Sequence, residues 1–356
     1  MSKEIQIGRC LVGLDHPTYF IADIAANHDG DLERAKDLIH LVAEAGANAA
    51  KFQNFRARTI VSDYGFRALG TQADHQAAWQ KSVVETYEDA SLPLEWTETL
   101  RESCDAAGID YFTAPYDLAL IDELAPHVCA WKVGSGDITW HAVIERLATG
   151  GKPLLIATGA STMDEVRQAM EVARRYTSDI VLMQCNTNYT ASVENFHHIA
   201  LNVLKAYARE FGDVVLGLSD HTPGHATVLG AIALGARAVE KHFTDDTGRE
   251  GPDHKFSMDP NAWRQMVDRA RELEAALGSD EKMVMDNERG TVVVQRRAIR
   301  AVRDIAAGRV LAASDLTVLR PCPKDALPPY CMDEVVGRVA GRGIAAGDCV
   351  RLVDVR

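Results

Sequence analysis

The sequence predicts a closed (β/α)8 TIM barrel followed by a small β-rich domain, and three observations carry the prediction. Short apolar runs alternate with helix-period segments from the start of the chain. Eight such strand–helix units fit within about 275 residues, the usual span of a barrel. Each apolar run ends in a polar or ionisable residue, as expected where reactive groups gather at the C-terminal ends of strands. An open doubly wound sheet is the competing class, but no G-x-G-x-x-G follows the first strand.

In order, the strands are expected at Tyr19–Ile24, Ala49–Phe52, Asp110–Thr113, Ala130–Val133, Leu154–Ala157, Ile180–Met183, Val214–Leu218 and Ala238–Lys241. Amphipathic segments between them include Asp31–Glu44, Thr97–Ala107, Met163–Tyr176 and Ala226–Leu234, with Trp263–Leu277 as the last helix. Asp31 offers an acidic cap and Ala45-Gly46 a stop. The connection from Arg56 to about Pro93 is too long for a simple loop and carries Tyr64, Phe66, Arg67, Trp79 and Tyr87. It reads equally as an extra helix or as a lid over the barrel mouth. The barrel is expected to occupy residues 1–277, with a polar linker at 278–292. Residues 293–356 form the β-rich domain, where Ile305-Ala-Ala-Gly308 and Ile344-Ala-Ala-Gly347 look like an internal echo.

Composition narrows the function. A hydrophobic content of 47% supports a sizeable core, and a net charge of −13 argues against nucleic acid or an anionic membrane as partner. The seven cysteines are scattered without C-x-x-C spacing, so neither a disulfide framework nor a structural zinc site is indicated. No signal-peptide pattern or membrane-length apolar run occurs, and the expectation is a cytoplasmic protein.

The chemistry is expected at the strand ends. Gly217-Leu-Ser-Asp-His-Thr222 and Val239-Glu-Lys-His-Phe-Thr244 each end a strand in one histidine. On neighbouring parallel strands, His221 and His242 emerge side by side and make half of a divalent-metal site. A lone histidine at a strand end is usually only a hydrogen-bonded polar group, and it is the matching pair that favours metal. Lys51 and Gln53 share one face of their strand, Ser219 and His221 another, and Glu240 shares a face with His242, which leaves Lys241 on the opposite side. Buried lysines such as Lys51 and Lys132 need anions beside them. The bland alternative is that they pair with Asp or Glu inside the barrel. Asp23, Asp137 and Asp253 are available to move protons or to act as outer partners of a metal. From spacing alone, the chain is a metal-dependent barrel enzyme acting on a phosphate-bearing small molecule.

These residues resemble the sialic acid synthase family, which makes N-acetylneuraminate and related nonulosonates. The matching motifs are Ile21-Ala-Asp-Ile-Ala-Ala-Asn-His-Asp-Gly30, Ala50-Lys-Phe-Gln53, Lys132-Val-Gly-Ser-Gly-Asp137, Gly151-Lys-Pro153 with Thr158-Gly159, the two histidine motifs, and Glu250-Gly-Pro-Asp-His-Lys255. The tail resembles the family's antifreeze-like (SAF) domain through Arg296-Arg297 and Leu319-Arg-Pro321. The resemblance implies condensation of phosphoenolpyruvate with an open-chain N-acylated mannosamine-type sugar. It implies a divalent cation, Mn2+ or Mg2+, on His221 and His242. It implies phosphoenolpyruvate on Lys51, Thr113, Lys132, Ser135 and Ser219, and sugar facing Gln53, Tyr189 and Asp253. Arg320 would reach a neighbouring subunit's sugar in a domain-swapped homodimer. Three departures stand out: the family's usual glutamate on the first strand reads Asp23, a serine before Thr-Gly reads Ala157, and the tail's Arg-Pro-Gly reads Arg320-Pro-Cys322.

The resemblance leaves the acceptor sugar open between N-acetylmannosamine, diacetamido-trideoxy precursors of legionaminate or pseudaminate, and plain mannose. Competing readings are a 3-deoxy octulosonate or heptulosonate phosphate synthase, a Schiff-base aldolase through Lys132, and a catalytically silent carbohydrate-binding protein.

Overall fold

A computed structural model of the chain describes residues 3–69, 76 and 79–356. Two compact units divide it, Met1–Gly278 and Ser279–Arg356. The stretch 278–292 thus falls, after its first residue, in the second unit, and it runs into the helix Arg289–Gln295.

The first unit opens with an antiparallel hairpin, β1 (Glu4–Ile7) and β2 (Cys10–Gly13), that the sequence reading did not anticipate. Its Ile5, Ile7 and Val12 are buried in the main core. The hairpin lies against the N-terminal ends of the barrel strands. Gly8 abuts Asp110, the first residue of β5, so closely that a Cβ would sit 2.2 Å from its carboxyl carbon; Leu14 O accepts from Arg237 Nε near the start of β10. With that end covered, the opposite mouth is left for chemistry.

Eight parallel strands close the barrel in the order β10-β3-β4-β5-β6-β7-β8-β9. They are β3 (Tyr19–Asp23), β4 (Ala49–Asn54), β5 (Asp110–Pro115), β6 (Trp131–Val133), β7 (Leu154–Ala157), β8 (Ile180–Cys185), β9 (Val215–Asp220) and β10 (Ala236–His242). All eight expected strands are present, most of them one to three residues longer or shorter than the sequence suggested. Apart from the partly exposed Gln53 on β4, every residue of the barrel strands is buried, as parallel strands covered by helices must be. The helices form where their local signals say. Asp31 caps Leu32–Glu44 by accepting from Glu33 N and Arg34 N, and Thr97–Ala107 stops at Gly108 in the left-handed region.

Among its described residues, the long connection after β4 contains the helices Ala57–Ile60, Asp63–Ala68 and Val83–Ala90. Residues 70–75, 77 and 78 lie outside the described residues. Tyr64 is exposed. Val83–Ala90 is different: its Tyr87 ring packs 5.3 Å from that of Phe55, which directly follows β4. Burial raises the Tyr87 phenol pKa, with the charges of Asp253 and Asp137 adding to it. That helix therefore borders the C-terminal mouth.

The second unit has its own core around Ile299, Leu311, Val335, Ile344 and Val350. Strands β11 (Ala298–Ala301) and β12 (Leu316–Leu319) pair antiparallel. The internal echo is structural: Ile305 and Ile344 exchange backbone hydrogen bonds of 2.8 and 2.9 Å. Each copy buries an aspartate at the same interval, Asp315 held by Arg303 and Asp354 by Arg342. The tail is thus a pair of like segments folded on each other. All seven cysteines are free. No helix among the described residues is long and apolar enough to cross a membrane.

Candidate active site

Glu240 is the hub of the mouth. It stands on β10 between its neighbours and accepts from Lys132 Nζ at 2.7 Å and Ser219 Oγ at 3.3 Å, with Lys51 Nζ at 3.7 Å. Lys132 is on β6, diametrically opposite β10 in the strand order, so this ion pair spans the barrel. Lys51 also donates to Asp23 Oδ2 at 2.6 Å, and Gln53 Nε2 to the same oxygen at 2.9 Å. The lysines are therefore neutralised by carboxylates of the protein itself, the bland alternative raised by the sequence. Alternation had placed Glu240 on the histidine face without assigning it a role. Burial opposes ionisation of Asp23, but the Lys51 charge and the hydrogen bonds from Lys51 and Gln53 prevail and hold it at about 2.

The two histidines come together on β10 and just past β9, with ring centroids 5.4 Å apart. Phe256 packs edge-on against both, at 5.8 Å from His221 and 4.8 Å from His242, and Tyr189 lies 4.3 Å from the His221 ring. Burial lowers the pKa of each imidazole, that of His242 to about 3, so both are neutral near pH 7. His221 Nδ1 donates to Asn186 O at 2.9 Å, since a carbonyl only accepts, and Nε2 is left with the lone pair. His242 Nδ1 is buried without a partner, as are Asp23 Oδ1 and Glu240 Oε2. Orphaned buried polar atoms are costly, and three in one mouth mark a place where a ligand completes the bonding.

Neutral imidazoles at this spacing fit a divalent cation bound at about 2.1 Å from each nitrogen. Among the described residues no three His, Cys, Asp or Glu side chains converge on one metal position. Of the ligands such a cation would need, these side chains would supply two nitrogens.

Asp253, on the loop after β10, places Oδ2 3.9 Å from His242 Nδ1 and accepts from Ala26 N at 3.2 Å. Burial, with the Asp23 charge adding, pushes its carboxyl up to about 7. Asp137 follows β6 in a short turn, and burial raises it to about 6. Ser135 Oγ accepts from Gly159 N at 3.0 Å. Tyr116, directly after β5, was not anticipated. Its hydroxyl lies over Gly134, where a Cβ would come within 2.5 Å, and its pKa is pushed well up by burial and then by nearby charges that include Asp23 and Glu240.

One expected site residue, Thr113, faces away from the mouth. Thr113 Oγ1 lies 2.9 Å from Phe52 O and 2.7 Å from Asn54 Oδ1, and the residue pairs in register with Phe52. It therefore shares the face opposite Lys51 and Gln53 and does not reach the mouth. Arg320 belongs to the second unit, at the end of β12, and is exposed. Lys241 faces away, donating to Asp220 and Thr222 O, as alternation required.

The NeuB family profile matches residues 38–282, and the SAF domain matches 296–356. The chain belongs to the NeuB family. Similar relatives include the N,N'-diacetyllegionaminic acid synthase of Legionella pneumophila, 33% identical over 92% of this chain and 92% of that one. The pseudaminic acid synthase of Campylobacter jejuni is 31% identical over 99% of this chain and 100% of its own. Among solved structures, the N-acetylneuraminic acid (sialic acid) synthetase of Leptospira borgpetersenii, in complex with citrate, superposes with a TM-score of 0.71. It is 25% identical, with 82% of this chain and 96% of that chain covered. The NeuB architecture of this chain is thus a TIM barrel followed by a SAF domain.

Proposed function

We propose that the chain condenses phosphoenolpyruvate with an open-chain N-acylated mannosamine-type sugar, giving a nonulosonate and phosphate. The observation that carries this is the juxtaposition, in one mouth, of two neutral histidines and a lysine–carboxylate cluster with unpartnered polar atoms. Family membership supports it.

Lys51, Lys132, Ser135 and Ser219 bind the phosphate and carboxylate of phosphoenolpyruvate. Each ammonium has three donors, so an anion can be added without breaking the pairs to Asp23 and Glu240. Gln53, Tyr189 and Asp253 face the sugar. His221 and His242 are suited to a divalent cation, Mn2+ or Mg2+, which when bound polarises the aldehyde oxygen. C3 of phosphoenolpyruvate attacks the aldehyde carbon, and Asp253, with its proton available near neutrality, delivers it to the developing alkoxide. Water adds to the oxocarbenium at C2 and gives up a proton to a carboxylate, a role we assign to Asp23, which its Lys51 partner keeps ionised. The tetrahedral intermediate collapses with C–O cleavage, and phosphate leaves.

A Schiff-base mechanism is disfavoured, because Lys132 is tied to Glu240 and an ion-paired ammonium is no nucleophile. A diacetamido-trideoxy hexose acceptor is the second reading, favoured by the names of the Legionella and Campylobacter relatives. We further place the active protein in the cytoplasm, in keeping with its free cysteines, as a domain-swapped homodimer in which Arg320 serves the partner's mouth. Phosphate release from phosphoenolpyruvate across a panel of acceptor sugars tests the reaction. No release with any acylamino sugar removes it, and the preferred sugar decides between the two acceptor classes.

A further inference from the structure

The loop that carries Asp253 is held by charged residues for which the proposed chemistry has no use. His254 is fully buried beside it. Its Nε2 lies 2.9 Å from Asp29 Oδ1 and its Nδ1 2.7 Å from Thr244 Oγ1. Arg249 closes on the other Asp29 oxygen through Nε and Nη2, at 2.9 and 2.7 Å, and Arg34 Nε approaches that oxygen at 3.1 Å. Gly251 leaves the room this needs, since a Cβ there would come within 2.6 Å of the His254 ring. Asp29 itself sits at φ 53, a left-handed conformation that aspartate tolerates better than most side chains.

The near side of the loop is stitched as well. Ala26 N donates to the Asp253 carboxylate, and Asn27 Nδ2 donates to Ser257 Oγ, which in turn donates to Asp253 O. The loops after β3 and β10 are therefore joined both beside Asp253 and beyond it. A buried imidazole engaged through both nitrogens has one orientation, and the adjoining backbone inherits it.

We propose that His254, clamped by Asp29, is a positioning residue for the acceptor sugar, acting through Asp253. The inference rests on the reaction assigned above. Lys51, Lys132, Ser135 and Ser219 stand on or just after other strands, so loosening the clamp should weaken the sugar side alone.

Asp29→Ala and His254→Phe remove the clamp from its two ends, and His254→Gln, whose amide can still donate to Asp29, is the conservative comparison. Asp29 is partly exposed, so its variant spares the core if the histidine variant does not fold. The expected result is a sugar KM raised about tenfold or more, the scale set by misplacing a group that orients substrate. Phosphoenolpyruvate binding, read by calorimetry without sugar, stays unchanged, and His254→Gln recovers most of the loss. Amide exchange across residues 250–257 quickens in Asp29→Ala and not elsewhere in the barrel. A normal sugar KM in folded Asp29→Ala, an equal weakening of both substrates, or unchanged exchange in the loop overturns the inference. If the unmodified protein turns over no acylamino sugar, the assigned reaction falls and the sugar part of this inference with it. The exchange result then judges the clamp by itself.

Discussion

At the scale of single residues, the mouth is a balance of charges with a few bonds left open. Asp23 and Glu240 offset Lys51 and Lys132, while His221 and His242 remain neutral by burial. His221→Ala or His242→Ala should lower turnover by about a thousandfold or more, as removal of a group that stabilises developing charge does. Folding stability should change by less than about 2 kcal/mol, since neither ring anchors the core through more than one hydrogen bond. Added Mn2+ should raise the unfolding midpoint of the native protein and leave both variants unmoved. Full activity in either variant would remove the cation from the scheme. Asp137 gives a separate handle through pH. Its pKa is raised by burial from 3.8 to about 6, so the folded state binds this proton more tightly than the unfolded chain. Its contribution to stability is whole below pH 4, declines as pH rises to about 6 and is constant above that. Asp137→Asn should therefore match the native unfolding free energy at pH 4 and exceed it at pH 7, by about 1 kcal/mol after allowing for solvent screening, with a correspondingly higher midpoint. Equal midpoints at both pH values would show that the carboxyl titrates normally.

At the scale of elements, the strands were legible because apolar runs and polar ends are local signals. Alternation correctly turned Lys51 with Gln53, and Glu240 with His242, toward a common face. Thr113 was assigned through the resemblance and not through alternation, and because β5 is buried on both faces its burial pattern does not say which face is inward. The Lys132–Glu240 pair was beyond reach for another reason: it joins opposite staves, and no local spacing encodes that contact. The first hairpin was missed since four-residue strands carry too little alternation to stand out. The inserted helix Val83–Ala90 was legible only as something longer than a loop. It is too short to be stable alone, so its ends matter. Ser82 Oγ accepts from Glu85 N while Glu85 accepts from Ser82 N, a capping box. Ser82→Ala should cost about 1 kcal/mol locally and speed amide exchange over residues 83–90 about fivefold, with the barrel unaffected. Exchange unchanged there would mean that the packing of Tyr87 on Phe55 holds the helix without its cap.

At the scale of the whole molecule, the assigned residues are divided between two units with separate cores. Both histidines and the lysines lie in Met1–Gly278, whereas Arg320 lies in Ser279–Arg356. A tail of this size gains stability by docking on a larger surface, and exchange of tails between two copies would supply one to each. The proposed swap makes a demand that a self-contained subunit does not. Take His242→Ala, damaged in the barrel, and Arg320→Ala, damaged in the tail, each inactive by itself. In a swapped heterodimer, one mouth combines both defects and the other combines the intact barrel with the intact tail. After dissociation and random reassociation of equal amounts, about a quarter of all mouths should be whole, with phosphate release recovered in that proportion. If each tail serves its own barrel, every mouth in the mixture keeps one defect and no activity returns. An affinity tag on one variant, used to co-purify the untagged other from the mixture, establishes that heterodimers have formed, so that a null result counts against the swap and not against the mixing.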